Sequence, residues 1–416
     1  MLAALIASGA ADGFGPVTLS FAVLRVTGSV SRLGLVLATQ ATVALALTLA
    51  GGLAADRFPR ARVLTISLAG RTTAAALLAA ALLTGTASFP LLLAAAAGYG
   101  CADGFFGPAS TALVPDLVPR ERLAPANALL GGSASVAAIV APALAGVVVA
   151  AFGPGAGFAV QAVLLAAGAV SLRAGVAGTA PVMREVRGRG ALRTGWGEFV
   201  RIRWLWLLTG QWLVFSMLTV APVTVLGPAL AQRYLGGAAA WGVISACVGL
   251  GSVGGRFGAG RVRPPTRPGV AIACLLPVMT AEALALGLGA PLPVVAAAAA
   301  LTGVALGAQA VLFQTAMQTS VRPDVLARVA AIDLVGSEGG QPVGYALAGP
   351  LAAAVGAHAF LTASATLMAL AGTAFAFLPT LRARVDESSS LLLRVQRLID
   401  PEKRGPVRGL LHQRGA

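Results

Sequence analysis

Charged residues are scarce in this sequence. Only 11% of its 416 residues are charged, 57% are hydrophobic, and the mean hydropathy is +0.85. Too few polar residues remain to cover a water-soluble body of this length, so the composition predicts a membrane protein. Aromatic residues make up only 6%, and no alternation of polarity typical of barrel strands is present. Abundant Ala and Gly instead favour closely packed membrane helices.

Lysine, histidine and cysteine are also scarce, and each scarcity excludes a kind of site. Lys403 is the only lysine, which excludes the nucleotide-binding loop whose motif requires Gly-Lys. His358 and His412 are the only histidines, too few for a histidine metal cluster. All three cysteines lie in apolar runs, which favours packing over disulfides or metal binding. We therefore expect no cofactor, no metal and no bound nucleotide.

About twelve apolar segments have the roughly 20 residues that cross a bilayer. They cover residues 2–24, 33–54, 63–84, 89–113, 126–151, 156–172, 204–231, 240–258, 269–289, 292–317, 329–354 and 358–379. The first begins directly after Met1 without a basic leader, and we interpret it as a retained helix and not as a cleaved signal peptide.

The net charge of +15 follows these segments. Of the 30 Lys and Arg residues, 26 lie in or beside the even-numbered connections and in the tail, whereas the odd-numbered connections hold only Arg25, Arg32 and Arg233. This asymmetry predicts that the even connections and the C-terminus are cytoplasmic. The positive charge therefore sets topology and does not indicate a nucleic-acid partner.

The two halves of the sequence are related by a shift of 203 residues. Residues 143–146 and 346–349 both read ALAG, and the same shift relates further glycines along the chain. It relates Gly51 and Gly52 to Gly254 and Gly255, Gly100 and Gly104 to Gly303 and Gly307, and Gly153 to Gly356. A half-length repeat in an apolar chain is typical of a transporter built from two bundles.

This organisation gives four predicted regions. Residues 1–172 form an N-terminal six-helix bundle and residues 204–380 a C-terminal one. Residues 173–203 form a basic cytoplasmic linker, whose Trp196 suggests an interfacial helix leading into the seventh span. Residues 381–416 form a cytoplasmic tail, either disordered or with a short helix on the membrane surface.

A glycine-rich basic segment follows the second span. Residues 51–62 read GGLAADRFPRAR. Glycines allow a tight turn, Asp56 can cap or pair, and the arginines can bridge to acids on neighbouring helix ends. The segment resembles the loop signature of the major facilitator superfamily. In the second half, residues 254–261 keep glycine and positive charge but have Ala259 where Asp56 would fall.

The segments around the fourth span extend this resemblance. Residues 105–109 (FFGPA), 112–128 (ALVPDLVPRERLAPANA) and 24–29 (LRVTGS) look like the corresponding stretches of the enterobactin-exporter and macrolide-efflux branch. The resemblance covers all twelve spans. It implies an all-α membrane protein with twelve transmembrane helices in two pseudo-symmetric six-helix bundles, which rock around a midplane site.

The resemblance also implies a gate and a hinge. In the superfamily, an acid at the position of Asp116 pairs with arginines of the loop motif and latches the cytoplasmic side. Residues 141–146 (APALAG) approximate the antiporter signature, in which proline permits a bend; an ordinary kinked packing helix is the alternative. The implied gate residues are Gly52, Asp56, Arg57, Arg60, Asp116 and Asp333, and the implied hinge residues are Pro142 and Gly146. For Asp333, a helix-start acid favoured by the dipole is the alternative.

Charged side chains inside the spans are the strongest candidates for a site. A charge at bilayer depth costs at least about 2.5–3.5 kcal/mol on insertion scales, so such residues face a cavity or a partner. Asp12 and Asp103 lie in the first and fourth spans, which line the cavity in this fold, with Arg71 in the third. Either the acids carry protons or they form static ion pairs with Arg71. Glu282, on a peripheral span, has a structural role.

Polar residues in the tenth and eleventh spans are further candidates. Glu338 and Gln341 can face the cavity. Gln309 and Gln314 either bind a polar substrate or form hydrogen bonds between helices.

The sequence thus predicts a monomeric secondary transporter that is not an enzyme. By family resemblance, it exports an amphipathic drug, natural product or siderophore in exchange for protons. An uptake carrier for a small polar metabolite is the alternative, and a transport-inactive membrane receptor is a second one.

Overall fold

The computed structural model describes residues 2–117, 123–176, 190–261, 268–322 and 325–378, and its regular elements there are all helical. The first half comprises α1 (Leu2–Thr27), α2 (Val30–Arg57), α3 (Arg60–Leu83), α4 (Phe89–Leu117), α5 (Leu123–Phe152) and α6 (Pro154–Val176). The rest comprises α7 (Gly190–Arg201), α8 (Arg203–Phe215), α9 (Ala221–Leu230), α10 (Ala238–Arg261), α11 (Pro268–Met279), α12 (Ala281–Gly287), α13 (Leu292–Ser320), α14 (Leu326–Glu338), α15 (Gly340–Val355) and α16 (Ala357–Ala376).

These helices account for the twelve predicted membrane spans. Among the described residues, ten helical stretches are long and apolar enough to cross a membrane. The other two spans are α1 and the pair formed by α14 and α15. Large apolar side chains such as Val147, Phe152 and Leu370 are exposed on the outer surface, where lipid replaces water as their surroundings. The predicted all-α, two-bundle membrane fold is confirmed.

Three spans of the second half are interrupted, which the sequence did not predict. The seventh runs from α8 to α9 through a π-helical segment at Ser216–Val220, and a second π-helical segment follows at Ala231–Leu235. The ninth breaks at Thr280, just after Pro277. The eleventh breaks at Gly339, because Pro342 has no N–H to donate to the carbonyl of Glu338.

Helix packing shows that the halves are equivalent. In the first half α2 packs on α4, and in the second half α10 packs on α13. Between the halves α5 packs on α10, and α2 packs on α15. α2 and α10 are corresponding spans of the two halves, and so are α5 and α15. The contact of α5 with α10 is therefore equivalent to the contact of α15 with α2, as a pseudo-twofold axis requires. The turns at Gly153 and Gly356, 203 residues apart, both have positive φ (81° and 90°).

The close contacts of glycines between helices correct the predicted repeat in the second span. A Cβ on Gly100 would collide with the carbonyl of Gln40, and a Cβ on Gly303 would collide with the carbonyl of Val248. The shift is therefore 203 residues for the fourth span, but 208 for the second, from Gln40 to Val248.

The predicted match of Gly51 and Gly52 to Gly254 and Gly255 is consequently wrong. Gly52 faces open space, whereas Gly255 packs tightly on the backbone of Val304. Ala259 is then not the counterpart of Asp56, and the true counterpart falls in residues 262–267, outside the described part of the chain.

The contacts between halves concentrate at one end of the molecule. One end of the molecule carries the turns at Gly28, Gly153 and Gly356, and we call it the sparse end because it has few basic residues. We call the opposite end, at which α2, α6 and α10 terminate, the basic end. On one side of the interface, Gly146 of α5 meets Gly242 of α10; on the other, Gly349 of α15 meets Ser31 of α2. All four lie in the helix halves nearer the sparse end. The halves therefore seal there, over the middle of the molecule.

Part of the predicted linker is helical. α7 ends where α8 begins, and its Gly195 packs on Arg328 of α14 while its Phe199 is buried. Trp196 is 57% exposed beside Phe199, as expected of a helix at a membrane surface. Residues 177–189 and the tail from residue 379 onward lie outside the described residues.

Candidate functional site

A central cavity of about 370 Å³ lies between the halves, beneath the seal. Residues of α1, α2, α3, α4 and α6 line it from the first half, and residues of α9 and α15 line it from the second. Its volume lies within the range of small-molecule sites, about 300–1,000 Å³. A cavity reached by both halves is placed to change its access when the halves move.

Arg71 organises the polar wall of this cavity. Its side chain is fully buried on α3, where its Nη2 donates to the carboxylate of Asp12 and, at 2.7 Å, to Tyr99 Oη. Its Nη1 donates to Ser8 Oγ at 3.2 Å and lies 3.6 Å from Asp103 Oδ1. The structure thus brings together Asp12, Asp103 and Arg71, which the sequence had placed on three separate spans.

Two aromatic rings hold the guanidinium in place. Its Cζ lies 4.9 Å from the ring centroid of Tyr99 and 4.8 Å from that of Phe106. Both distances fall within the roughly 6 Å of a cation–π contact, which strengthens when water is excluded. Arg71 is therefore fixed behind the wall, and its partners Asp12, Asp103 and Tyr99 line the cavity.

The charges of this cluster do not balance. Asp12 and Asp103 both line the cavity, with side chains 46% and 42% exposed, but they share the single positive charge of Arg71. Asp12 makes the closer contact, and the carboxylate of Asp103 has only the 3.6 Å ion pair with Arg71 and no hydrogen bond among the described residues. One carboxylate is left with little compensation.

The second half contributes Gln341 and Tyr345 to the opposite wall. Tyr345 Oη donates to Gln341 Oε1 at 3.1 Å, and Gln341 Nε2 donates to Glu338. Trp212 Nε1 also donates to Glu338, at 3.3 Å. Glu338 is thus one hydrogen bond behind the cavity wall, at the end of α14 where the eleventh span breaks.

Three other predicted residues do not line the cavity. Gln309 faces a separate gap of about 10 Å³ beside Trp212, because α13 packs mainly on α10 and α11. Gln314 is exposed on the same helix. Glu282 is only 7% exposed within the second half, and its backbone N–H donates to Thr302 Oγ1 at 3.0 Å.

The predicted gate is only partly described. Asp56 and Asp116 lie in α2 and α4, but their side chains are outside the described residues, so their pairing stays a prediction. Gly52 faces open space and Arg57 is exposed at the end of α2. Arg60 opens α3 and is engaged in an interaction.

Asp333, predicted to join this gate, accepts a hydrogen bond of 2.5 Å from Thr209 Oγ1 of α8. Its described contact therefore lies within the second half.

The predicted hinge lies at the interface between halves. α5 remains helical through Pro142 and Gly146. A Cβ on Gly242 would lie 2.7 Å from the carbonyl of Pro142 and 2.9 Å from the Cα of Gly146. The segment therefore provides close contact with α10, and a bending role stays a prediction.

Sequence reasoning missed Tyr99, Gln161 and Tyr345. Gln161 Nε2 donates to the carbonyl of Ala11 at 3.2 Å and to Tyr99 Oη at 3.4 Å. The signal was available for two of them: Tyr99 precedes Asp103 by one helical turn, and Gln161 is the one amide in an otherwise apolar span.

The known proteins most useful for comparison are transporters. A family model described as the Major Facilitator Superfamily matches residues 1–333. No curated protein matches the sequence.

Solved structures share the fold. One is a bacterial homologue of the human lysosomal transporter Spinster, inward-facing and unoccupied, with a TM-score of 0.68, 17% identity and coverage of 92% of this chain and 96% of that one. Another is a POT family transporter in complex with a thioalcohol-conjugated peptide, with a TM-score of 0.73, 11% identity and the same coverage.

Proposed function

Because the chain belongs to the major facilitator superfamily, we propose that it is a secondary transporter that exports an amphipathic small molecule in exchange for protons. The observation that carries the proposal is the central cavity, which both halves line and which holds two partly exposed carboxylates beside a buried arginine. Apolar walls with a few polar groups suit a drug, a natural product or a siderophore.

Alternating access follows from where the halves touch. They seal near the sparse end through small residues, above the cavity. Rocking about the cavity would open this seal and close the basic end, so that the substrate meets each side in turn. The positive charge of the basic end supports its placement in the cytoplasm, in the inner membrane of a bacterium. We expect the transporter to act as a monomer.

Asp12 and Asp103 are the proposed proton carriers. A carboxylate that is partly exposed in a membrane cavity and weakly compensated can take a proton from one side and lose it to the other. Proton arrival at Asp12 or Asp103 would weaken the pairing with Arg71, and a bound substrate would compete for the same groups.

Transport in membrane vesicles tests the coupling. With Asp12→Asn and Asp103→Asn, we expect efflux driven by a pH gradient to fall to about the rate of vesicles treated with an uncoupler. Retention of gradient-driven efflux in both variants would refute proton coupling at these residues. Accumulation of a labelled small polar metabolite, in place of expulsion, would favour the alternative uptake carrier.

At the basic end, we propose that Asp116 pairs with Arg57 or Arg60 when the cavity opens to the outside. Unchanged transport rates in Arg60→Ala and Asp116→Ala would argue against this latch.

A further inference from the structure

The cavity wall presents hydrogen-bond acceptors and surplus negative charge. We propose that the cavity selects substrates bearing a positively charged nitrogen with an N–H group, which binds between Asp103 and Gln161. This inference rests on the proposed transport function and adds a substrate class to it: amphipathic organic cations.

The first support is the charge of the lining. Among the described residues that line the cavity, Asp12 and Asp103 are charged and no Lys, Arg or His is present. Arg71, whose positive charge lies nearest among the described residues, is fully buried behind this wall and makes its closest contact with Asp12. Asp103, 3.6 Å from Arg71 and 42% exposed, therefore keeps charge that an entering cation can neutralise.

The second support is an unsatisfied acceptor beside these acids. Gln161 lines the cavity and is 1% exposed, and its Oε1 has no hydrogen-bond partner among the described residues. Its Nε2 group is already used by Ala11 and Tyr99, which fixes the orientation of the amide. A buried acceptor without a partner costs roughly 1–3 kcal/mol, so a ligand donor that reaches this oxygen relieves an existing penalty.

The third support is the shape and chemistry of the remaining wall. Tyr99, Phe158 and Tyr345 supply aromatic surface and Leu37 and Leu78 supply apolar surface. Aromatic rings attract cations as well as apolar groups. A neutral ligand would leave Asp103 without a counter-charge, and an anion would be repelled by both carboxylates. The lining thus favours an amphipathic cation over both.

Binding to purified, detergent-solubilised full-length protein tests the charge preference. We would use three probes on one aryl-alkyl scaffold: a tertiary amine, its neutral amide analogue and its carboxylate analogue. The amine is expected to bind about tenfold or more tighter than the amide, and the carboxylate weakest. Equal binding of the amine and the amide, or tightest binding of the carboxylate, would overturn the proposal.

Variants locate the effect. Asp103→Asn removes the charge at nearly constant size, and is expected to weaken amine binding about tenfold and leave amide binding unchanged. Glu282→Gln is the matched control, because Glu282 is a buried acid in the membrane that does not line the cavity; it should leave amine binding unchanged. An equal loss in both variants, or no loss in Asp103→Asn, would contradict the assignment.

The same probes separate this inference from the proposed function. Selective amine binding without vesicle transport of any probe would refute export and leave the cation site standing. Gradient-driven export of the amide or the carboxylate in preference to the amine would refute cation selection and leave export standing.

Discussion

At the residue scale, the cost of burying charge explains both what the sequence predicted and what it did not. Asp12, Asp103 and Arg71 stand out because each charge at bilayer depth requires a partner or a cavity. That requirement made pairing with Arg71 one of the two predicted arrangements, beside acids that carry protons. The sequence could not assign Arg71 mainly to Asp12, because the choice depends on how α1, α3 and α4 are rotated about their axes. Tyr99 and Gln161 are uncharged, so their burial does not require a charged partner, and their only sequence signals are the weaker ones of spacing and composition.

Removal of the arginine tests the charge cluster. Arg71→Met keeps a long side chain but leaves Asp12 and Asp103 without a positive charge, and we expect the unfolding free energy to fall by about 2 kcal/mol, less than for a fully buried pair because both carboxylates are partly exposed. The apparent melting temperature of the detergent-solubilised protein measures this loss.

Adding Asp12→Asn to Arg71→Met removes one of the two repelling charges. We expect the double variant to regain part of the lost stability. If it is less stable than Arg71→Met alone, the acids and Arg71 do not form a coupled cluster.

At the element scale, composition predicted the existence and the approximate bounds of the spans, but not their interruptions. A run of about twenty apolar residues predicts a membrane span whether or not its helix is continuous. The breaks in the seventh and eleventh spans are also adjacent: Ser216 Oγ donates to the carbonyl of Ser337 at 3.2 Å. The irregular segment of the seventh span thus satisfies a backbone carbonyl beside the break of the eleventh, a dependence between distant residues that periodicity cannot reveal.

Two glycines of α4 provide a matched test of helix packing. A Cβ on Gly100 would collide with the carbonyl of Gln40 on α2, whereas a Cβ on Gly98 would meet open space. We expect Gly100→Ala to destabilise the protein by roughly 1–3 kcal/mol through overpacking. Gly98→Ala should be neutral or slightly stabilising, since alanine favours helix.

Melting temperatures of Gly100→Ala and Gly98→Ala, measured side by side, test whether close packing of α4 on α2 requires a glycine at position 100. Equal shifts would mean that the glycines act through helix propensity and not through the approach of α4 to α2.

At the scale of the whole molecule, the repeat predicted two equivalent bundles, and the packing of α5 on α10 and of α2 on α15 shows how they meet. The repeat misassigned the second span because matching glycine letters cannot distinguish a shift of 203 from one of 208 in a glycine-rich helix. The carbonyls facing Gly100 and Gly303 distinguish the two shifts. Which end is sealed depends on the conformation of the protein, and the sequence repeat does not predict it.

The seal itself predicts how access to the cavity can be changed. In Gly242→Leu, the new side chain would meet the carbonyl of Pro142 and the Cα of Gly146, so it would separate α5 from α10 at the sparse end. An overpacking cost of roughly 1–3 kcal/mol shifts the balance between access states by about 5- to 150-fold. We expect the cavity to become accessible from the side that the sparse end faces.

Labelling measures this change. With Cys101, Cys247 and Cys274 replaced by serine, Ala41→Cys places a thiol in the cavity wall. In right-side-out vesicles, a membrane-impermeant maleimide should label it slowly, and Gly242→Leu should raise the rate about tenfold. Gly254→Leu on the same helix is the control, because a Cβ at Gly254 meets no atom within 4 Å, and this variant should leave the rate unchanged. Rapid labelling of Ala41→Cys in the protein that keeps Gly242 would contradict the prediction. It would mean that the cavity is already accessible from outside, so that the sparse end is not the sealed, outward-facing end.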